Sequence, residues 1–313
     1  MSIPRVSILV PCYNAEKFIG ETLESVLRQT WHEIEVIVVD DGSQDGSIGV
    51  IEQFPRVTLI RQTNLGACAA RNRAYNASTG AYIQFIDADD LVAPDKMERQ
   101  MARLVNNPKY VASSEWGRLY STLDETRFNP DPVWCDLSPL DWLSASRADG
   151  LGMLFPAIWL VPRPIADAAG PWDESLTLGD DGEYFTRILL ASEGVLFCPG
   201  ARCYYRSAVS GSLSGRKSLE AWASGYRVLE LCESHVRERE DSERIRRGFA
   251  LSWQHFAHAC YPYEPTLAAR ALARARTLHG VTIHPGGGST FKVISRLIGW
   301  RAARRLQVAS GRP

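Results

Sequence analysis

The first hundred residues alternate between two hydrophobic rhythms. Val6-Ser7-Ile8-Leu9-Val10 is a short apolar run of buried-strand length. After a turn at Pro11-Cys12-Tyr13-Asn14, apolar positions return at helical spacing as Phe18, Ile19, Leu23, Val26 and Leu27. The cycle repeats: a strand over 34–39, a Gly-Ser loop and an apolar helix to about Phe54, a strand over 57–60, and an Ala-rich helix over 66–79 stopped by Gly80. A fourth strand follows over 82–86, and Pro94 opens the next helix in its first turn, where proline is tolerated. This β-α order predicts a mostly parallel, Rossmann-like sheet with right-handed crossovers and flanking helices.

From 110 to 150 the pattern reads as loop-rich, with Pro130, Pro132 and Pro139 among aromatic positions. Ala157-Ile158-Trp159-Leu160-Val161 predicts another strand, 182–192 a helix, and 195–198 and 202–206 two short strands. Beyond Lys217 the pattern is helical to the end. The expected organisation is therefore a binding and catalytic unit over 1–215 and a helical C-terminal region over 216–313.

Charge sharpens that division. The net charge is −1, which predicts no bulk attraction to nucleic acid. From Arg216 onward, 17 Lys and Arg face 8 Asp and Glu, while the rest of the chain has 18 against 28. Seven cysteines, an odd number without paired spacing, read as reduced thiols. No apolar leader and no run of about 18 apolar residues is evident, so a cytoplasmic protein is expected. The sequon Asn76-Ala77-Ser78 lies on a predicted helix of such a chain and is read as ordinary surface.

Two acidic clusters end predicted strands: Asp40-Asp41-Gly42-Ser43-Gln44-Asp45 and Asp87-Ala88-Asp89-Asp90. Ligands of open α/β sheets bind beyond the carboxyl ends of strands. Helix capping explains isolated aspartates there. Clustered carboxylates repel and are costly to bury, and a cation, a hydroxyl or a base N–H relieves the cost. Between the clusters, Asn64-Leu65-Gly66 leads to Ala70-Arg71-Asn72, where small residues permit close approach and Arg71 suits phosphate or an aspartate. Gly179-Asp180-Asp181-Gly182-Glu183 puts three acids at a helix start; the plain reading is dipole compensation and the chemical one is a general base.

Taken in order, Ser7-Ile8-Leu9-Val10-Pro11-Cys12-Tyr13-Asn14, Val39-Asp40-Asp41-Gly42-Ser43, Asn64-Leu65-Gly66, Ala70-Arg71-Asn72 and Asp87-Ala88-Asp89-Asp90 resemble the family 2 glycosyltransferases of the GT-A fold. Gly170-Pro171-Trp172-Asp173-Glu174-Ser175-Leu176 and Gly179-Asp180-Asp181 resemble the segment leading to that family's acidic pair. The resemblance covers about residues 1–210. It implies inverting transfer from a nucleotide-diphosphate sugar, UDP-linked, to a carbohydrate or lipid-linked acceptor hydroxyl. It also implies that Pro11, Tyr13, Asn14, Asp41, Gly66 and Arg71 serve the nucleotide sugar, that Asp87 and Asp89 hold Mn2+ or Mg2+, and that Asp181 is the base. The chain departs from the family pattern twice. Asp180 stands where relatives more often have Glu, and Ser207-Ala208-Val209 carries no His, which leaves Arg206 as the candidate counter-charge.

Two rivals are a catalytically silent nucleotide-sugar-binding or scaffold protein and a sugar nucleotidyltransferase. The latter wants a Gly-rich basic loop after the first strand, which Pro11-Cys12-Tyr13-Asn14 does not provide. His255 and His258 read as ordinary helix-face residues, and 211–218 fails the phosphate-loop pattern. Trp116, Trp134, Trp142 and Trp159 are candidates to stack on sugars, although packing is the commoner use of Trp. The stretch 291–306 mixes apolar and basic residues at helical spacing. It either packs on its own domain, the preferred reading, or lies on an anionic membrane surface.

Overall fold

The computed structural model describes residues 3–150, 152, 154–207, 218–261, 263–280, 282–283 and 288–309. The chain runs β1 (Val6–Cys12), α1 (Ile19–Leu27), β2 (Ile34–Asp40), α2 (Ser47–Ile51), β3 (Val57–Arg61), α3 (Ala67–Ala77), β4 (Tyr82–Phe85), β5 (Leu91–Val92) and α4 (Lys96–Leu104). It continues with β6 (Tyr110–Leu119), α5 (Pro139–Ser146), β7 (Val161–Pro162), α6 (Arg163–Ala169), α7 (Asp180–Ala191) and β8 (Gly194–Arg206). The helices α8 (Leu219–Arg239), α9 (Glu243–Cys260), α10 (Pro265–Leu278), α11 (Ser289–Ile298) and α12 (Trp300–Ala309) complete it.

The main sheet has the order β3-β2-β1-β4-β7, parallel except for the antiparallel β7. β1 is central and buried along its length, which explains a run of Val, Ile and Leu with no alternation. A second sheet of order β5-β8-β6 stands beside it. The two are joined by a buried polar brace. Lys96 Nζ donates to Gln84 Oε1 at 2.6 Å and to Gln100 Oε1 at 2.8 Å. The two glutamine amides in turn donate to backbone oxygens of Ala112, Ala157 and Ile158.

That brace corrects one expectation. Residues 157–161 form a single 3-10 turn (Pro156–Ile158) and only enter a strand at Val161. The carbonyls of Ala157 and Ile158 accept from side chains, not from a neighbouring strand. A run buried all round looks apolar whatever its backbone does. The supposedly loop-rich stretch after 110 begins with the ten-residue β6, and the two short strands near 195 and 202 are one strand, β8. β8 carries a bulge where Ser114 pairs with Cys198 but Glu115 with Arg202. Gly200 sits in it at φ 78°, and Glu115 fixes it by accepting Gly200 N and pairing with Arg202.

All seven cysteines are free thiols. Among the described residues, no helix is long and apolar enough to cross a membrane. The 211–217 stretch, Ala208, Val209 and the 215/216 boundary fall outside the described residues.

Candidate active site

β1 and β2 end in register, Cys12 beside Asp40, and the loops that leave them are laced together. Asn14 N donates to Ser43 Oγ, Ala15 N to Ser47 Oγ and Glu16 N to Asp45 Oδ2, while Gln44 N donates back to Asn14 Oδ1. Asn14 takes a positive φ of 49°, a conformation Asn tolerates, so its side chain braces the loops. Pro11 pairs with Val39 one residue before β1 ends, and Tyr13, just past the strand, is 44% exposed.

The doubled aspartate divides its labour. Asp41 is buried and accepts Gln62 Nε2 at 2.7 Å, Leu65 N at 2.8 Å and Gly66 N at 2.9 Å. It therefore shapes the turn into α3 and holds Gly66 at φ 97°. Asp40 accepts Ser43 N through Oδ2, but its buried Oδ1 has no partner among the described residues. Buried acceptors are normally satisfied, so the unpartnered Asp40 Oδ1 is the exception in this pair. The sequence pattern points to Asp41; the feature that marks Asp40 is that it directly ends β2.

One helix turn further, Arg71 is buried and bridges two acidic segments. Nη2 pairs with Asp87 Oδ1 at 2.8 Å and Nη1 with Asp180 Oδ2, and the Trp172 ring lies 4.4 Å from the guanidinium. Burial works against this charge, and Asp180 and Asp87 more than offset it, holding Arg71 above the usual arginine range. Cys68, one turn earlier on α3, places Sγ 3.2 Å from Asp180 Oδ2. Asp180 is thus committed inward. Its neighbour Asp181, at the start of α7 after Gly179 (φ 75°), has one described partner, Gly182 N at 2.7 Å. Burial, then the charge of Asp180, pushes the Asp181 carboxyl up to about 7. A carboxylate with that affinity for protons is a competent base near neutrality.

Asp87 and Asp89 follow β4. Burial and the charge of Asp87 push Asp89 up to about 6, and burial, with Asp89 and Asp87 beside it, raises Asp90 well above the usual carboxylate range. Asp90 accepts Arg206 N at 2.9 Å, and its buried Oδ2 has no partner among the described residues. Arg206 reaches back along the same loop: Nε donates to the Asp89 carbonyl at 2.8 Å, Nη2 pairs with Glu21, and the group sits over the Phe18 ring. The chain therefore puts Arg206 beside the acidic loop, with two of its donors already used to brace it.

This loop fits a hard divalent cation in part. Crowded carboxylates with raised proton affinity are what a cation relieves. Among the described residues no group of three or more His, Cys, Asp and Glu is arranged to hold a metal. Asp87 and Asp89 are the carboxylates this loop would offer such an ion, and Asp87 Oδ1 is already paired with Arg71.

Around this centre, Trp142 and Trp159 are fully buried against each other and fill the core, so neither presents a face to a sugar. Trp134 stacks on Phe197 and Trp116 meets Phe155 edge-on. A cleft of about 650 Å³ lies on the flank of α3, lined by Asn72, Tyr75, Asp167, Trp172, Glu174 and Tyr184; Asp40, Asp41, Asp87, Asp89 and Asp181 are not among its lining residues.

Residues 7–141 match the model of Glycosyl transferase family 2. The chain is 34% identical over 153 residues to the uncharacterized glycosyltransferase YibD of Escherichia coli K12, covering 45% of this chain and 44% of that protein. It is 40% identical over 100 residues to an Escherichia coli chondroitin synthase, covering 31% of this chain and 15% of that one. The chain spans less than half the length of these curated relatives. Among solved structures it resembles Staphylococcus aureus TarS 1–349 in complex with UDP-GlcNAc, with a TM-score of 0.73, 18% identity, and coverage of 98% of this chain and 92% of that one. Residues 7–141 therefore belong to glycosyl transferase family 2, and the chain is built on the GT-A fold.

Proposed function

We propose that this chain is an inverting glycosyltransferase that moves a sugar from a UDP-linked donor to an acceptor hydroxyl, in the synthesis of a surface polysaccharide or glycoconjugate. The observation that carries the reading is the buried Arg71 bridge, which ties Asp87 to Asp180 and leaves Asp181 as a high-affinity proton acceptor beside them. The complex of TarS with UDP-GlcNAc supports the donor class. Residues 1–215 are read as the donor and catalytic unit and 216–313 as a helical region serving acceptor, partner or membrane. The working place is the cytoplasm or the cytoplasmic face of a membrane.

In this reading the loops after β1 and β2 receive the nucleoside, with Asp40 Oδ1 accepting from the base or ribose and Asp41 holding the turn that opens α3. The diphosphate lies toward Asp87 and Asp89, which would hold a Mn2+ or Mg2+ ion that neutralises the leaving group. Asp181 takes the proton of the acceptor hydroxyl. The oxygen attacks the anomeric carbon from the face opposite the diphosphate, the bond to the diphosphate oxygen breaks, and UDP departs with the electron pair. Arg71 touches neither reactant; it fixes the geometry between the two acidic segments.

Turnover of Asp181→Asn tests this. General-base catalysis contributes on the order of 10²- to 10⁴-fold, so a loss of that size is expected with UDP affinity unchanged. Near wild-type turnover with intact donor binding removes Asp181 from the role.

A further inference from the structure

The two terminal helices carry an observation that the transfer reaction does not use. Their inner side is docked on the chain. Phe291 is buried under the Arg304 guanidinium, 4.6 Å from its ring; Ala303 is buried; and the Trp300 ring meets His258 at 4.7 Å and Tyr261 at 5.3 Å. His255, one turn earlier on α9, bonds the Asp149 carbonyl at 2.8 Å, so the histidine pair of this helix is occupied with packing. The preferred sequence reading, a tail packed on its own domain, accounts for this inner side.

It does not account for the outer side. Val293 is 55% exposed, Leu297 79%, Ile298 51% and Leu306 54%. Val293 and Leu297 are four apart on α11 and share a face. Lys292 and Arg296, also four apart, form the stripe next to it, and both are exposed. On α12, Arg301 and Arg305 are exposed four apart at the edge of the docked side, with guanidiniums 5.0 Å from the Trp300 ring and 5.5 Å from the Tyr261 ring. Between 288 and 309 the chain carries five Lys and Arg and no Asp or Glu. An apolar strip edged by cations, with no acid to pair them, complements a surface that is apolar within and anionic at its boundary. Gly299, at φ 80°, turns the chain between the helices.

We propose that α11 and α12 form an interfacial anchor that docks on an anionic lipid surface. Val293, Leu297, Ile298 and Leu306 enter the acyl boundary, and Lys292, Arg296, Arg301 and Arg305 contact headgroup phosphates. The rest of the protein stays in water. This inference is independent of the transfer chemistry.

Cosedimentation of the full chain with phosphatidylcholine vesicles, with and without an equal share of phosphatidylglycerol, tests it. The protein sediments with the anionic vesicles, stays in solution with the neutral ones, and is released as salt rises. The double variant Val293→Glu, Leu297→Glu loses at least tenfold in partitioning, and Arg296→Glu loses about fivefold or more. Both retain the far-ultraviolet circular dichroism and UDP affinity of the parent. Three outcomes overturn the anchor: no sedimentation above the vesicle-free control, equal binding by the double variant, or binding indifferent to phosphatidylglycerol. A concentration-dependent dimer that the double variant abolishes, without vesicle binding, assigns the strip to a second copy of the chain instead.

Discussion

At the scale of single residues, the site is organised by which carboxylates are already spoken for. Asp41 and Asp180 are held by inward partners, and Asp40 Oδ1 and the Asp181 carboxyl are not fully used. The first consequence is a pH dependence. In the proposed reaction Asp181 acts as the ionised carboxylate, and burial and Asp180 raise its proton affinity to about 7. Transfer therefore falls tenfold per unit as pH drops below about 7, where an unperturbed carboxylate would hold its rate to pH 4. A pH–rate profile of transfer checks this. The second consequence concerns Asp40. Removing its charge in Asp40→Asn weakens UDP binding by about 1.5–3 kcal/mol, the worth of a hydrogen bond to a charged group, with little loss of fold stability, because one buried acceptor had no partner. Titration calorimetry with UDP reads the first effect and thermal denaturation the second.

At the scale of elements, α3 does most of the positioning. Its entry turn hangs on Asp41, and its first two turns place Cys68 and Arg71 against Asp180. Breaking the buried pair in Arg71→Met leaves Asp87 and Asp180 facing each other without a cation, and a loss of about 3–5 kcal/mol in urea unfolding is expected. Arg71→Lys does not restore the bridge, because one ammonium cannot serve both carboxylates in the forked geometry. Gly42 is the other control point. Its φ is 79°, and a Cβ there would lie 3.0 Å from the Asn64 backbone nitrogen. Gly42→Ala costs about 1–2 kcal/mol from the backbone conformation alone, and more through the contact, which shifts the turn feeding α3. The same denaturant titration measures it. These strands and helices were legible early, since the β-α rhythm of the first hundred residues is a strong periodic signal. β6 was not: Ser113, Ser114 and Gly117 interrupt its apolar pattern because β6 packs among the polar brace and sulfur groups of the second sheet. Pro199-Gly200 masked the continuity of β8, because a bulge and a strand end look alike in sequence.

At the scale of the whole molecule, the chain places two acidic loops, a helix entry and a helix start from positions 40 to 181 along one edge of the parallel sheet. The order of motifs announced that edge, while the bridge that unites it was invisible, since nothing in the spacing of Arg71, Asp87 and Asp180 states that one guanidinium reaches both. The helical region from Leu219 joins the sheet-bearing part of the chain through Ser224, which accepts Thr177 N and Leu178 N just ahead of α7, and through His235 on Glu183. Truncation before α8 thus exposes the segment that aims Asp181, and loss of transfer together with a lower unfolding temperature is expected.

The central claim, one donor gathered by all these segments, is tested most directly by a crystal structure of the protein with UDP and Mn2+. The account predicts a single UDP with its base or ribose at Asp40, its diphosphate and the ion at Asp87 and Asp89, and Asp181 facing open space beyond the phosphate. A UDP bound in the cleft between Tyr75 and Glu174, with the carboxylates of β2, β4 and α7 left untouched, would contradict it.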